Sequence, residues 1–228
     1  MENEVVLEVW GDFACFTRPE SKVERLTYPV PTPSAMRGIL NAIYSKPPEF
    51  YWQVNRIEVL NPIKYISFKR NEVKDKLSEN ADIPILADGT KEITGTDQKG
   101  RTQRQTVALR NVRYRVYASI CKRESCSIPE AELVKQALRR IRNGKCFYQP
   151  SLGLREFVAY FEESDGVRKP INLDLDIGYM IYDVFDLNSF EVTKKAKPYV
   201  TLFHAVLREG VLEVPPFNSD NVLKPEVT

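Results

Sequence analysis

The chain is 228 residues long, enough to bury a sizeable core as one large domain or two small ones. Its 43% hydrophobic and 28% charged residues suit a globular protein, and no apolar run approaches the roughly 20 residues that cross a bilayer, so no membrane partner is expected. The acidic start Met1-Glu2-Asn3-Glu4 lacks the basic-then-apolar order of a secretion signal. Cys15, Cys121, Cys126 and Cys146 are too sparse for a disulfide scaffold, which points to reduced thiols in the cytoplasm. No zinc is expected either, because Cys121 and Cys126 have no second pair and no neighbouring histidine.

Residues 4–10 read as a first strand, with an apolar run through Val5, Val6, Leu7 and Val9. A basic, aromatic loop leads into a helix over about 33–44. There Met36, Ile39, Leu40 and Ile43 recur at i, i+3, i+4 and i+7 and share one face. Thr32 is the expected N-cap, Pro33 occupies the first helical position, and Pro47 and Pro48 forbid continuation. Tyr44 therefore stands at the helix exit beside Lys46, a phenol next to a cation, which suits a phosphate-bearing ligand. Residues 50–60 form a second strand that offers Trp52, Val54, Ile57 and Val59 to a core. From 74 to 106 polar residues and glycine dominate, which predicts an inserted hairpin or a mobile loop that orders on a ligand. Over 109–120, Val112, Tyr114, Val116 and Ala118 alternate with Asn111, Arg113, Arg115 and Tyr117, so a third strand turns one face inward and shows arginines on the other.

A second helix is expected from the capping box Ser127-Ile128-Pro129-Glu130, with Ser127 as N-cap, to the stop at Asn143-Gly144. Its buried stripe is Val134, Ala137, Leu138 and Ile141, and Lys135, Arg139 and Arg142 line another face. A fourth strand follows at 157–161. The order strand, helix, strand, strand, helix, strand is that of ferredoxin-like folds, which RNA-recognition domains share. Beyond Pro170 come short strands at 171–177, 179–185, 199–207 and 211–214, the last after a Glu209-Gly210 turn. The expected fold is thus α+β. A ferredoxin-like (RRM-like) N-terminal domain spans 1–165 with the insertion at about 74–106, and a small C-terminal antiparallel β-sheet spans 166–228.

A net charge of only +2 hides a segregated distribution. No acidic residue lies between Asp97 and Glu124, where Arg104, Arg110 and Arg113 fall, nor between Glu132 and Glu156, where Lys135, Arg139, Arg142, Lys145 and Arg155 fall. Such windows, interleaved with aromatic residues and glycine, are the footprint of a polyanion site. Within the loop 143–153, glycines such as Gly153 let backbone N–H groups approach phosphates, and Phe147 and Tyr148 offer faces to bases. Lys22, Arg25 and Arg37 add contacts from the first loop and helix.

The single histidine, His204, lies in a strand-like run and reads as structural. Chemistry that needs paired histidines is excluded, and no nucleotide-binding glycine loop or nucleophile elbow occurs. Asp174 and Asp176 alternate on one strand face and read as surface charges, so no metal ligand set and no cofactor is expected. RNA binding, or metal-free RNA cleavage by the neighbouring 2′-hydroxyl, remains.

Several ordered segments carry a resemblance over nearly the whole chain. They are Gly11 through Pro19, Tyr28-Pro29-Val30, Ser34 through Leu40, Leu109-Arg110-Asn111-Val112, Gln149 through Phe157, Leu175 through Met180 and Ala205 through Val211. On these the sequence resembles the fifth-numbered Cas family of CRISPR systems, in its I-C (Dvulg) subtype, within the repeat-associated mysterious protein (RAMP) superfamily. The resemblance implies a subunit of a type I-C surveillance complex that binds CRISPR repeat RNA and the 5′ handle of the mature guide RNA beside the other subunits. It also implies metal-independent cutting of the precursor by 2′-OH attack. The family uses a Tyr at the end of the first helix, where Tyr44 falls, and a Lys-His pair at the start of the second, where Glu132 and Leu133 stand. Lys135, one turn away, and Lys46 are the expected substitutes for that pair. A non-catalytic RNA-binding scaffold of the same complex is the alternative.

Overall fold

The computed structural model describes residues 4–21, 24–73, 101–189 and 198–225. The fold is mixed, with ten strands and two helices among these residues. They are β1 (Glu4–Ala14), β2 (Arg25–Leu26), α1 (Pro33–Ile43), β3 (Phe50–Val59), β4 (Tyr65–Val73), β5 (Arg101–Lys122), α2 (Glu130–Arg142), β6 (Tyr160–Glu163), β7 (Leu175–Asp183), β8 (Thr201–Arg208), β9 (Val211–Glu213) and β10 (Val222–Leu223). All belong to one sheet whose main path runs β10-β8-β9-β3-β5-β1-β6. The pairings β3-β5, β5-β1 and β1-β6 are antiparallel. With α1 between β1 and β3, and α2 between β5 and β6, the central part follows the split βαβ connectivity expected from the sequence.

The first helix forms as its pattern dictates. The Thr32 hydroxyl accepts the Ala35 amide at 3.2 Å, and Met36, Ile39, Leu40 and Ile43 are buried. The second helix differs at its start. Pro129 is the N-cap and no side chain caps it, so the Ser127 capping box does not form. Glu130 and Glu132 in the first turn compensate by meeting the positive end of the helix dipole. Of its expected apolar stripe, Val134, Ala137 and Ile141 are buried and Leu138 is partly so, while Leu133 joins the core at 2% exposure.

Three strand expectations change. The third strand extends to 22 residues because its N-terminal half pairs with β4, which the polar sequence conceals. That pairing absorbs 101–106 of the expected insertion, and 74–100 lie outside the described residues. The strands expected at 171–177 and 179–185 are one strand, β7, with a register shift around Gly178. The fourth strand begins at Tyr160, three residues later than expected.

The C-terminal strands continue the main sheet. β9 pairs with β3 after a turn in which Glu209 and Gly210 both take positive φ, 47° and 76°. A side chain at Gly210 would meet the Ile171 carbonyl oxygen at 2.1 Å, so this turn requires glycine. Buried Gln53 on β3 fastens the junction. Its amide nitrogen donates to the Tyr182 hydroxyl at 2.8 Å, its oxygen accepts the Phe217 amide at 3.1 Å, and Tyr182 donates to the Pro215 carbonyl at 2.9 Å.

Alternation along the strands makes two unlike faces. Val5, Leu7 and Val9 stand opposite Ala118, Val116 and Tyr114 in the apolar core that α1 and α2 cover. On the other face, β5 presents Arg113 and Arg115 to carboxylates from both neighbouring strands. Arg115 donates to Glu58 at 2.6 Å and to Glu8 at 3.1 Å, and Arg113 donates to Glu8 at 2.6 Å and also binds Glu162. Burial alone would raise the Glu8 carboxyl, but hydrogen bonds from Arg113 and Arg115 outweigh it and hold its pKa below the usual carboxylate range. A depressed folded-state pKa contributes stability that is present above the ordinary carboxylate pKa and is lost as pH falls through the folded value. Glu8→Gln, which mimics the protonated acid, is therefore expected to melt well below the wild type at pH 7. Melting curves from pH 7 to pH 3 should show that gap closing on acidification. A gap independent of pH would contradict the assignment.

Candidate nucleic-acid interface

The residues expected to contact RNA divide in three-dimensional space. Arg113 does not present an open cation, because the carboxylates described above occupy it and its side chain is only 14% exposed. Arg37 is likewise engaged. Its Nε and a terminal nitrogen bind the two oxygens of buried Asp183 at 2.6 and 2.8 Å, joining α1 to β7. Arg142, at the end of the basic helix stripe, is matched by Glu163 at 2.5 and 2.7 Å. In each case the partner is distant in sequence, so the acid-free windows of the chain are not acid-free in the fold.

The others remain on the surface. Lys135 and Arg139 on α2, Arg110 on β5, and Lys145 and Arg155 on the loop after α2 are exposed. Arg25 on β2 and Arg104 on β5 are half-buried. Lys22 lies outside the described residues. Phe147 and Tyr148 are 60% and 61% exposed, free to stack on bases. The aromatic loop is anchored by the Phe147 amide, which donates to the Ala42 carbonyl at 2.7 Å, and by Cys15 N, which donates to the Leu152 carbonyl at 3.0 Å.

A cleft of about 520 Å³ opens where α1, the loop at 15–17, the aromatic loop and the end of β7 meet. Thr32, Ser34, Gly38 and Asn41 line it from α1, and Tyr148, Ser151 and Gly153 from the loop. Gly153 has φ +87°, and a Cβ there would sit 1.9 Å from the Cys15 carbonyl oxygen, so the loop reaches this position only without a side chain. Gly38 and Gly153 thus both line this cleft. Its arginine, Arg37, positions the wall through Asp183.

The exit of α1 forms the second part of the site. The Tyr44 ring packs on Phe50 at 5.5 Å between centroids, and the Tyr44 carbonyl accepts the Trp52 indole N–H at 2.8 Å. The residue is only 5% exposed, yet its hydroxyl is not among the buried unpaired polar atoms and has no protein hydrogen bond among the described residues. The buried ring therefore leaves a hydroxyl that is not fully enclosed. Burial pushes the phenol pKa up, with Lys46 and Arg140 acting against that and Glu49 with it. At neutral pH the group is protonated. Lys46 is held by both oxygens of Glu49 at 3.2 Å, which raises its own pKa and keeps it cationic. Arg140 was overlooked among the candidate site residues. From α2 it reaches the Ile43 carbonyl at 2.5 Å and stacks over Phe147 at 4.2 Å. The one sequence signal was its place in the acid-free window, beside the more regular stripe of Lys135, Arg139 and Arg142.

Glu132 is exposed and Leu133 is buried, so the start of α2 offers neither a cation nor an imidazole. His204 lies on β8, at 3.1 Å from Asp176 and edge-on to Tyr179, remote in the sheet order from α2. Among the described residues no cluster of three or more His, Cys, Asp or Glu residues suits a metal, and no helix is long and apolar enough to cross a membrane.

Comparison with known proteins agrees with this architecture. The family model described as CRISPR-associated protein (Cas_Cas5), of the Cas5d type, matches residues 4–215. The chain belongs to the Cas5d family. One relative, the CRISPR pre-crRNA endoribonuclease Cas5d of Mannheimia succiniciproducens, is 36% identical across 97% of this chain and 99% of its own length. The protein of the same name from Thermus thermophilus is 40% identical across 92% of this chain and 90% of its own. The Cas5d fold is also found in a solved CRISPR-associated protein, with a TM-score of 0.65 at 19% identity, covering 96% of this chain and 95% of that one. Streptococcus mutans SMU1763c gives 0.63 at 19% identity, with 96% of each chain covered.

The backbone clash at Gly153 yields a direct check. Gly153→Ala forces both a positive φ on a side-chain-bearing residue and a shift of the Cys15 strand end, which costs on the order of 2–3 kcal/mol. Its melting temperature should fall accordingly. An unchanged melting temperature would show that the loop does not depend on this approach.

Proposed function

We propose that this Cas5d protein binds CRISPR repeat RNA, cuts the precursor transcript without a metal, and then holds the 5′ handle of the guide RNA as a cytoplasmic subunit of a type I-C surveillance complex. One observation carries the reading. A protonated Tyr44 hydroxyl that is not fully enclosed stands at the end of α1 with Lys46 and Arg140 near it, next to exposed Phe147 and the glycine-bearing loop. The relatives named as pre-crRNA endoribonucleases, matched over almost their full length, support the same activity.

In this mechanism a 2′-oxygen attacks the neighbouring phosphorus while the bond to the 5′-oxygen breaks. Tyr44 gives the leaving 5′-oxygen its proton, a role that its raised pKa suits and that the base role does not. Lys46 stays cationic beside Tyr44, with its charge offset by Glu49. The aromatic loop with Lys145 and Arg155, together with Arg139 and Lys135 on the exposed face of α2, binds the surrounding backbone and bases. Arg25, Arg104 and Arg110 extend this basic surface along β2 and β5.

A scaffold that binds RNA without cutting it is the second reading, favoured by the buried Leu133 and the carboxylate of Glu132 at the start of α2. Incubation with the cognate repeat RNA in EDTA separates the two. The nuclease reading expects cutting that disappears when the scissile nucleotide is 2′-deoxy. Tyr44→Phe should cut about a hundredfold more slowly while still binding RNA. Cutting that survives the deoxy substitution would overturn the chemistry, and no cutting at all would favour the scaffold.

A further inference from the structure

Several arginines among the described residues are neutralised. Arg37, Arg70, Arg113, Arg115 and Arg142 each bind a carboxylate. Arg140 is different. Among the described residues its only partners are the Ile43 carbonyl, which accepts from Nε, and the Phe147 ring, which lies against the guanidinium plane. Arg139 and Arg155 also lack a carboxylate partner among the described residues, but they are exposed side chains with no such anchor. The terminal nitrogens of Arg140 are absent from the buried unpaired atoms, so they reach solvent. The side chain is thus fixed on two sides, one residue from Tyr44 along α1, with its donor fork uncommitted. A planar fork of N–H donors matches the geometry of a phosphate.

We infer that Arg140 is a catalytic residue whose terminal N–H groups bind the non-bridging oxygens of the scissile phosphate. This rests on the reading that the protein cuts RNA. As O2′ bonds to phosphorus and the bond to O5′ breaks, negative charge grows on those two oxygens, and Arg140 neutralises it without transferring a proton. The 2′ proton leaves to solvent, and the proton Tyr44 gives to O5′ is regained from solvent. The products are a 2′,3′-cyclic phosphate and a 5′-hydroxyl, with no change of oxidation state and no water consumed. Phe147 then has two tasks, holding the guanidinium and stacking on a neighbouring base.

A purely structural Arg140 would cap the carbonyl end of α1 and do nothing more, so the test needs a readout beyond stability. Single-turnover cutting of the cognate repeat RNA in EDTA is measured for the wild type, Arg140→Lys, Arg140→Gln and Arg140→Ala, with melting temperature and RNA affinity measured alongside. Arg140→Gln and Arg140→Ala are expected to slow cutting about a hundredfold, with a much smaller change in affinity. Arg140→Lys should retain part of the rate. Millimolar ethylguanidinium should restore part of the rate to Arg140→Ala and none to Tyr44→Phe. Full activity of Arg140→Ala, or a rate loss that follows the melting temperature and resists ethylguanidinium, would overturn the assignment. If the wild type itself leaves the repeat intact, the cleavage reading fails, and this role fails with it.

Discussion

The fold depends on a run of charges laid across its central strands. Glu58 on β3, Arg115 on β5, Glu8 on β1, Arg113 on β5 and Glu162 on β6 form one chain of ion pairs that spans four adjacent strands. Glu8 is 2% exposed and Arg115 is 3% exposed, so each charge relies on its neighbours. Removing one partner from such a buried set costs about 3–5 kcal/mol, because the remaining charge is stranded. Ser164 and the Arg168 carbonyl complete the hydrogen bonding of Arg115 from the chain segment after β6, closing the network from outside the sheet.

This arrangement has a functional consequence. RNA-recognition domains stack bases on the sheet face opposite their helices. Here that face is closed by ion pairs that cancel its arginines, and the exposed Tyr160 ring stacks on Trp10 at the β1–β6 edge. The uncancelled charge lies elsewhere, at the ends of the helices. Arg139, Arg140, Lys145 and Arg155 come from α2 and the loop after it, where Phe147 and Tyr148 are exposed. The Arg37–Asp183 pair and Gln53 tie that region to the C-terminal strands, so the 520 Å³ cleft has one wall from each part of the chain.

What the sequence disclosed follows from the range of the forces involved. The first helix was legible to within one residue, because a 3.6-residue apolar period and a threonine-proline start are local signals. The alternation at 109–120 announced the central strand for the same reason. The N-terminal half of β5 and all of β4 were hidden, since their polar residues gain a strand conformation only from each other. The C-terminal strands were recognisable one by one, whereas their attachment to β3 through β9 is a contact between segments about 150 residues apart. Arg113 and Arg37 read as open cations because Glu8, Glu162 and Asp183 lie far away in the chain. Arg140 was obscured by the opposite effect: its neighbours in sequence looked equally basic, and only the fold shows which of them is anchored.

Photo-crosslinking of CRISPR repeat RNA carrying 4-thiouridine, followed by mapping of the modified peptides, tests this division of surfaces directly. The account predicts crosslinks on the loop that holds Phe147 and Tyr148 and on the lining of the cleft around Ser34 and Ser151. Crosslinks concentrated on Trp10 and Tyr160, with the loop unmodified, would place the RNA on the ion-paired face of the sheet and contradict it.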